Sequence, residues 1–336
     1  MRLMTGEQHM HDLIIIGSGP AGLAAALAAK RQQLDCLILE RGVIGDTVYH
    51  YPIARPLFST SNEVELEAGA LPRDRKPTRE EVLAHYVHLV IRERFDLRTG
   101  EPVETIARAG DSFTVRTAKN TYRCRAVLVA IGGFGCQRKL NVAGESPERV
   151  SYRFSEAHPY ATKRVLVVGG GNSAAEAALF LLDSGARVTL AIRRHALDAP
   201  SRMNAAKIKP WVREPLEQAQ AEGRLDILTS SEIVEILPDS ALLHILEGET
   251  PRVVEVACDH IFALIGADPD VRLLEEAGAE IAEDGRPVYS DQFETSVPGL
   301  FVAGHLTREL HMKKAIEVGS LVVQYIGERL LEPAAV

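Results

Sequence analysis

Cysteine is scarce in this chain of 336 residues, and its four cysteines are far apart. None of them forms a CxxC pair or a spacing that is typical of metal ligands. We therefore expect neither a scaffold held by disulfides nor a zinc module with cysteine ligands, and the sequence predicts no metal site. The four positions are Cys36, Cys124, Cys136 and Cys258.

Long apolar runs are also lacking. No stretch reaches the length of a membrane-spanning helix, and the N-terminal MRLMTGEQHMHD has no apolar core of the kind that signal peptides contain. We therefore expect a cytoplasmic protein with no membrane partner.

A basic excess is absent as well, because 46 acidic residues outnumber 38 lysines and arginines and give a net charge of −8. Binding to a phosphate backbone needs a concentrated basic surface, so we expect no nucleic-acid partner. The length is sufficient for two domains of ordinary size, each with its own core.

A glycine motif dominates the first part of the chain. Gly17, Gly19 and Gly22 form GxGxxG between an apolar strand pattern and an alanine-rich helix that begins near Pro20. Such a turn lets a pyrophosphate approach the backbone at the positive end of a helix. Glu40 ends the next strand, where an acidic side chain can accept hydrogen bonds from ribose hydroxyls. The pattern predicts a dinucleotide site.

The stretch from Lys163 to Arg194 repeats this pattern, with Gly169, Gly171 and Ala174 forming GxGxxA. The second strand of this copy ends in Arg193 and Arg194, where the first copy has an acid. Arginines can bind the 2′-phosphate of NADPH, which an acid would repel. Two copies therefore predict two dinucleotides, FAD in the first and NADPH in the second. The alternative for the arginines is a solvated strand end.

Between and after the copies, several segments have recognisable patterns. The stretch 41–77 shows few signs of regular structure, and a loop of that length usually covers a ligand. Short strands are expected around 103–106, 113–117 and 122–124, and separate buried strands at 125–133 and 259–268 end in glycines. The expected helices run from Thr78 to Arg94 and from about Lys313 to Arg329.

A local basic cluster interrupts the acidic composition. The segment 201–213 carries Arg202, Lys207, Lys209 and Arg213 around the only tryptophan. It could hold the NADPH phosphates or an acidic substrate, and a solvated basic loop is the alternative.

Taken together, GSGPAGL with Glu40, GGGNSAAEAALFL with the two arginines, and GLFVAG followed by a helix resemble the low-molecular-weight thioredoxin reductase family over nearly the whole chain. The resemblance implies the α/β thioredoxin reductase superfold, with two Rossmann-like nucleotide-binding domains. It assigns 1–140 and 256–336 to an FAD domain and 141–255 to an inserted NADPH domain, and it implies a homodimer. The implied cofactor-binding residues are Gly17, Gly19, Pro20, Ala21, Gly22, Glu40, Arg41, Tyr51, Gly132, Gly169, Gly171, Asn172, Ser173, Ala174, Arg193, Arg194, Gly266, Gly304, His305, Lys314 and Ala315.

One departure from the thioredoxin reductase pattern indicates a particular group within the family. Thioredoxin reductases have a redox CxxC just before the second glycine turn, but here Tyr152 to Lys163 contains no cysteine. Four segments resemble instead the bacillithiol disulfide reductase group, in which NADPH and FAD are taken to reduce the disulfide of the small thiol bacillithiol. These segments are VYHYP at 48–52, FSTS at 58–61, EAHPY at 156–160 and IKPW at 208–211.

Further departures affect the catalytic residues. Members of that group commonly have a cysteine where this chain has Ala21, so either that thiol is dispensable or the electron acceptor differs. Cys136 could replace the thiol or be an inert loop cysteine, and His305 stands where the family usually has an acid. The catalytic candidates are His305, His311, Cys136 and His158.

The sequence thus predicts an NADPH-dependent FAD oxidoreductase that reduces a small-molecule disulfide or a small redox protein. A ferredoxin or flavodoxin NADP reductase, which also lacks CxxC, is one alternative. A nucleotide-binding flavoprotein without turnover is another.

Overall fold

A computed structural model describes residues 9–200, 207–246, 252–308 and 311–331. Its β-strands are β1 (Met10–Ile16), β2 (Cys36–Leu39), β3 (Asp96–Arg98), β4 (Val103–Ala109), β5 (Ser112–Thr117), β6 (Thr121–Val129), β7 (Cys136–Gln137), β8 (Val150–Ser151), β9 (Arg164–Val168), β10 (Arg187–Ala191), β11 (Leu225–Leu228), β12 (Ser231–Ile236), β13 (Ser240–Ile245), β14 (Arg252–Ala257), β15 (His260–Ala263), β16 (Ala267–Asp268) and β17 (Leu300–Val302).

The α-helices are α1 (Pro20–Arg31), α2 (Asp46–Tyr49), α3 (Ser61–Val64), α4 (Arg79–Glu93), α5 (Asn172–Asp183), α6 (Pro210–Ala221), α7 (Arg272–Glu276) and α8 (Met312–Leu331). Two short 3-10 helices cover His158–Tyr160 and Gly304–Leu306. No helix in the described ranges is long and apolar enough to cross a membrane.

The chain divides into two compact units. The first contains Met1–Cys136 and Asp268–Val336, and the second contains Gln137–Ala267. The expected domain limits at 140 and 255 differ from this division, because 137–140 and 256–267 both belong to the second unit. There β15 pairs in parallel with β9, with Ile261 opposite Leu166.

The first unit is built on a seven-stranded sheet of order β3-β2-β1-β6-β5-β4, with β17 also paired to β6. The strands β3, β2, β1, β6 and β17 are parallel, and β4 and β5 extend the sheet in antiparallel fashion. Helices α1 and α8 cover one face, where Ala25 and Ala29 of α1 share a buried core with Val322 and Ile326 of α8. A second core on this sheet includes Ile14, Val127 and Val302.

One expected element is wrong in detail. Residues 121–129 form the single strand β6, whereas the pattern predicted one strand at 122–124 and another at 125–133. The apolar alternation changes within this strand because its second half pairs with both β1 and β17 and is buried throughout.

The second unit contains the five-stranded parallel sheet β11-β10-β9-β15-β8 and the antiparallel sheet β12-β13-β14. Helix α5 follows β9 and leads to β10, so β9, α5 and β10 form a βαβ unit like that of β1, α1 and β2. The α/β fold class with two Rossmann-type sheets is confirmed.

Candidate functional site

The first glycine turn lies between the end of β1 and the start of α1. Gly17 has φ +107°, and a Cβ placed on it would lie 2.6 Å from the carbonyl oxygen of Ala130. A Cβ on Gly22 would lie only 1.9 Å from the carbonyl oxygen of Gly17. Both positions therefore need glycine so that the turn, the helix and the neighbouring strand end can pack closely.

Gly19 differs from these two glycines because a Cβ there would meet no atom within 4 Å. It is the N-cap residue of α1, and no side chain of the described residues caps this helix. Pro20, the first residue of α1, has no N–H, so the uncapped N–H groups that follow it in the first turn are the ones that a phosphate group could bind.

Glu40 holds the turn from the end of β2. Its carboxylate is buried, with the residue only 5% exposed, and Oε2 accepts hydrogen bonds from the backbone N (2.8 Å) and Oγ (3.0 Å) of Ser18. The other oxygen, Oε1, accepts from the backbone N of Gly42 at 2.8 Å. A carboxylate has about four lone-pair sites, so three are used by the protein and about one stays available to a ligand hydroxyl.

These residues border a cavity of about 440 Å³ in the first unit. Its volume is within the range of small-molecule and cofactor sites. Eleven of the sequence-predicted residues line the cavity: Gly17, Gly19, Pro20, Ala21, Glu40, Arg41, Tyr51, Gly132, Gly304, His305 and Ala315. Two other predicted residues of this unit do not line the cavity. Gly22 packs against the carbonyl oxygen of Gly17 in the turn. Lys314 is exposed and donates from Nζ to Oε2 of Glu317 at 2.8 Å.

The cavity also has lining residues that the sequence did not indicate. They come from α2, from the start of β4 and the residue before it, from the α7 region and from the start of α8, and include Asp46, Thr47, Val48, Pro102, Val103, Glu104, Asp270, Arg272, Leu273, Glu276 and Met312. The available signal was the long irregular segment after Glu40, which was expected to cover a ligand. Nothing comparable marks Asp270 and Arg272, which pair with each other through Nη2 and Oδ2 at 2.6 Å.

His305 lies on the 3-10 helix between β17 and α8, at the wall of the cavity. Arg286 donates from Nη1 to the carbonyl oxygens of His305 (2.9 Å) and Thr307. The imidazole ring meets the ring of Phe134 edge-on, with centroids 5.6 Å apart. The backbone of His305 is therefore fixed by a charged side chain, and its ring is held by an aromatic neighbour.

The other catalytic candidates do not line this cavity. His311 and Cys136 are exposed residues of the first unit, and His158 is an exposed residue of the second. Among the remaining cysteines, burial raises the pKa of Cys124 to about 12 and also raises the pKa values of Cys36 and Cys258, so these three remain neutral thiols.

The second glycine turn repeats the packing of the first. Gly169 has φ +146°, and a Cβ there would lie 2.4 Å from the carbonyl oxygen of Leu264 and 3.1 Å from Cβ of the buried Ala174. Gly171, the N-cap residue of α5, again has no atom within 4 Å of such a Cβ. This turn therefore also offers a helix N-terminus to an anion.

The two arginines after β10 differ in their surroundings. Arg194 lies against Gly170, where an added Cβ would be 2.9 Å from Nε, and its Nη1 donates to the carbonyl oxygen of Ala199. Burial lowers the pKa of this guanidinium. Arg193 is exposed. The sequence-predicted pair thus consists of one arginine packed on the turn and one that points to solvent.

Part of the basic segment is attached to the same turn. The backbone N of Lys209 donates to Oδ1 of Asn172 at 2.8 Å, and Nζ of Lys209 lies 5.9 Å from the ring centroid of Trp211. Arg202, the first cation of that segment, lies outside the described residues. The two remaining predicted cofactor-binding residues also lie in the second unit. Ser173 is exposed on the first turn of α5. The carbonyl oxygen of Gly266 accepts a hydrogen bond from the backbone N of Arg138 at 3.1 Å.

Comparisons with known proteins agree with this architecture. Residues 14–304 match the family model described as pyridine nucleotide-disulphide oxidoreductase. A bacilliredoxin reductase of Bacillus subtilis is 34% identical over 295 residues, which cover 87% of this chain and 88% of the relative. A ferredoxin–NADP reductase of Ignicoccus hospitalis is 28% identical over 306 residues, which cover 89% of this chain and 90% of that relative.

Among solved structures, a bacillithiol disulfide reductase from Staphylococcus aureus superimposes with a TM-score of 0.88 at 28% identity. The match covers 96% of this chain and 99% of that one. The resemblance drawn from the sequence motifs is therefore confirmed.

Proposed function

The chain belongs to the pyridine nucleotide-disulphide oxidoreductase family and is an oxidoreductase, and we propose that it uses NADPH and FAD to reduce bacillithiol disulfide. The observation that carries this proposal is the pair of glycine turns with opposite charges beside them. The first turn is held by Glu40, and the second has Arg194 packed on it.

FAD is proposed for the first unit because its cavity joins an open helix N-terminus to a buried carboxylate. Gly17, Gly19 and the N-terminus of α1 would hold the pyrophosphate, and Glu40 would accept from a ribose hydroxyl. When bound, FAD would supply the two-electron chemistry between nicotinamide and disulfide, which protein side chains do not provide. His305 has an imidazole at the cavity wall and can hold or deliver a proton there.

NADPH is proposed for the second unit because Arg194 lies against its glycine turn and Arg193 is its exposed neighbour in the chain. Gly169, Gly171 and the N-terminus of α5 would bind the pyrophosphate, and Arg193 and Arg194 would bind the 2′-phosphate. The backbone N of Lys209 donates to Asn172 at the start of α5, which places the basic segment beside this turn.

Bacillithiol disulfide is the proposed acceptor on two grounds. The chain has no CxxC, so no internal pair of cysteines can pass electrons to a thioredoxin. It is similar to a bacilliredoxin reductase and to a bacillithiol disulfide reductase over most of its length. The family resemblance further leads us to propose a cytoplasmic homodimer.

Similarity to a ferredoxin–NADP reductase favours a second candidate function, the reduction of ferredoxin or flavodoxin. Such partners are acidic, and the exposed Lys207 and Lys209 offer the basic surface that they would need.

One experiment separates the candidates. The purified protein with bound FAD is reduced by NADPH without oxygen, and bacillithiol disulfide, glutathione disulfide, thioredoxin and ferredoxin are then offered separately. Rapid reoxidation of the flavin absorbance by bacillithiol disulfide alone is the expected result. Reoxidation by ferredoxin alone would establish the second candidate. A flavin that NADPH fails to reduce would contradict both and indicate a nucleotide-binding protein without turnover.

The cofactor preference has its own test. Replacing Arg193 and Arg194 together by Ala should raise the KM for NADPH about tenfold or more and leave the KM for NADH nearly unchanged, because NADH has no 2′-phosphate. Replacing the exposed Arg108 of the first unit by Ala is the matched control. Equal increases for both nucleotides would contradict the assignment.

A further inference from the structure

Three side chains with metal-binding atoms converge at the N-terminal end of β1. Nε2 of His9 lies 2.7 Å from Oδ2 of Asp35, and Nδ1 of His11 lies 3.0 Å from the same oxygen. All three ligand atoms lie within 4.8 Å of one another. The two rings also meet edge-on, with centroids 4.5 Å apart. The three potential ligand atoms are therefore close enough together for a single ion to contact all of them.

Backbone structure holds these three side chains close together. Residues two apart on an extended chain lie on the same side, which puts His9 and His11 together. Asp35 is held beside them because its carbonyl oxygen accepts from the backbone N of Asp12 (3.0 Å) and of Leu13 (3.1 Å). Its own backbone N donates to Oδ2 of Asp12 at 3.0 Å. The third side chain therefore starts from a fixed backbone position.

We propose that His9, His11 and Asp35 form a binding site for a divalent transition metal of the zinc class. Metal–nitrogen and metal–oxygen bonds are about 2.0–2.2 Å long, so ligand atoms around a tetrahedral zinc ion are roughly 3.3–3.6 Å apart. The nitrogen–oxygen separations of 2.7 and 3.0 Å reach this range when the side chains open by about half an ångström, and the two nitrogens already lie within 4.8 Å of each other.

The donor set decides the class of metal. Two imidazoles and one carboxylate suit Zn²⁺, Ni²⁺ and Cu²⁺, whereas Mg²⁺ and Ca²⁺ prefer sites made of oxygen atoms. The side chains of His9 and Asp35 are 71% and 47% exposed, so water can complete the coordination shell. The side chain of His11 is only 10% exposed and forms the fixed floor of the site.

The proposed metal site is far from the cavity proposed to bind FAD. The cavity lies beyond the C-terminal end of β1, and His11 is six residues, about 20 Å of extended strand, from Gly17. A metal at the N-terminal end would link residue 9 to the connection between α1 and β2. We expect it to stabilise the first unit without changing turnover.

The test uses the full-length protein with FAD bound, freed of metal by a chelator and titrated with Zn²⁺ in a calorimeter. We expect one Zn²⁺ per chain and a higher thermal midpoint once it is bound. The substitutions His9→Ala and Asp35→Asn should each weaken binding at least tenfold. His9 is exposed, so its loss does not disturb the core.

Two control variants keep the result specific. His88→Ala removes an exposed histidine of α4, and Cys136→Ser removes an exposed thiol, which is the other type of side chain that binds zinc. Both should bind Zn²⁺ like the unaltered protein. The proposal is overturned if the protein binds no Zn²⁺, or if Zn²⁺ binding is unchanged in His9→Ala and Asp35→Asn; its loss in Cys136→Ser would place the ion at that thiol instead.

Discussion

The substitution Glu40→Gln tests whether the buried carboxylate holds the first glycine turn. The glutamine side chain has nearly the same shape, so packing is preserved and only the hydrogen bonds change. Glu40 accepts two hydrogen bonds from Ser18 on one oxygen and one from Gly42 on the other. A glutamine amide has one oxygen and one NH₂ group, so in either orientation an NH₂ group faces a backbone N–H.

The expected loss of FAD affinity follows from the number of hydrogen bonds that the substitution removes. The amide keeps its best contacts when its oxygen faces Ser18, which sacrifices the single bond from Gly42. A hydrogen bond to a charged group contributes about 1.5–3 kcal/mol. If that energy maintains the turn that binds FAD, the affinity for FAD falls roughly 10- to 150-fold.

The affinity is measured by titrating FAD into the apoprotein and following flavin fluorescence. Glu328→Gln, at an exposed position of α8, is the matched control and should bind FAD like the unaltered protein. A change of less than about threefold for Glu40→Gln would refute the reasoning, since it would mean that the turn keeps its shape without the carboxylate.

Two further predictions concern stability. Gly319→Ala should lower the free energy of unfolding by about 1–3 kcal/mol in urea, because the new Cβ would lie 2.2 Å from the carbonyl oxygen of Ala21. Gly327→Ala on the same helix meets only the movable side-chain end of Gln32 and should be nearly neutral; equal losses would contradict the packing argument. Hydrogen bonds from Arg164 lower the pKa of Asp259 to about 2, so the stability from this pair is present above pH 4 and is lost as the pH falls towards 2. Asp259→Asn should remove this part of the pH dependence of the free energy of unfolding. The effect should be at most about 1 kcal/mol, because the ion pair is exposed. An acid-unfolding curve identical to that of the unaltered protein would contradict this prediction.

Local sequence patterns predicted the elements on which the nucleotide sites depend. The strand, glycine turn, helix and strand at 13–40 correspond to β1, α1 and β2, and the repeat at 163–194 corresponds to β9, α5 and β10. The helix expected from Lys313 to Arg329 is α8, Met312–Leu331. These segments are long or strongly periodic, and the need for glycine is partly local, because a Cβ on Gly22 would meet the carbonyl oxygen of Gly17 five residues earlier.

Other features depend on contacts between distant residues. Helices α2 and α3 have four residues each, which is too short for a periodic pattern, so the segment 41–77 gave no sign of them. Asp270 and Arg272 reach the cavity only because the chain returns to the first unit after residue 267. Likewise, His9 and His11 meet Asp35 through strand pairing, which a search for metal-ligand spacing along the chain does not detect.

The first unit is assembled from both ends of the chain, and this has a consequence for synthesis on a ribosome. Strand β17 pairs with β6, and helix α8 packs on α1, so the last 40 residues complete a core that the first 40 begin. The second unit is continuous in sequence, and all of its strands are available before β17 is made. We therefore expect the second unit to fold during translation while the first waits with its apolar sheet face uncovered. A chain that stops before α8 would retain a foldable second unit and lose the first.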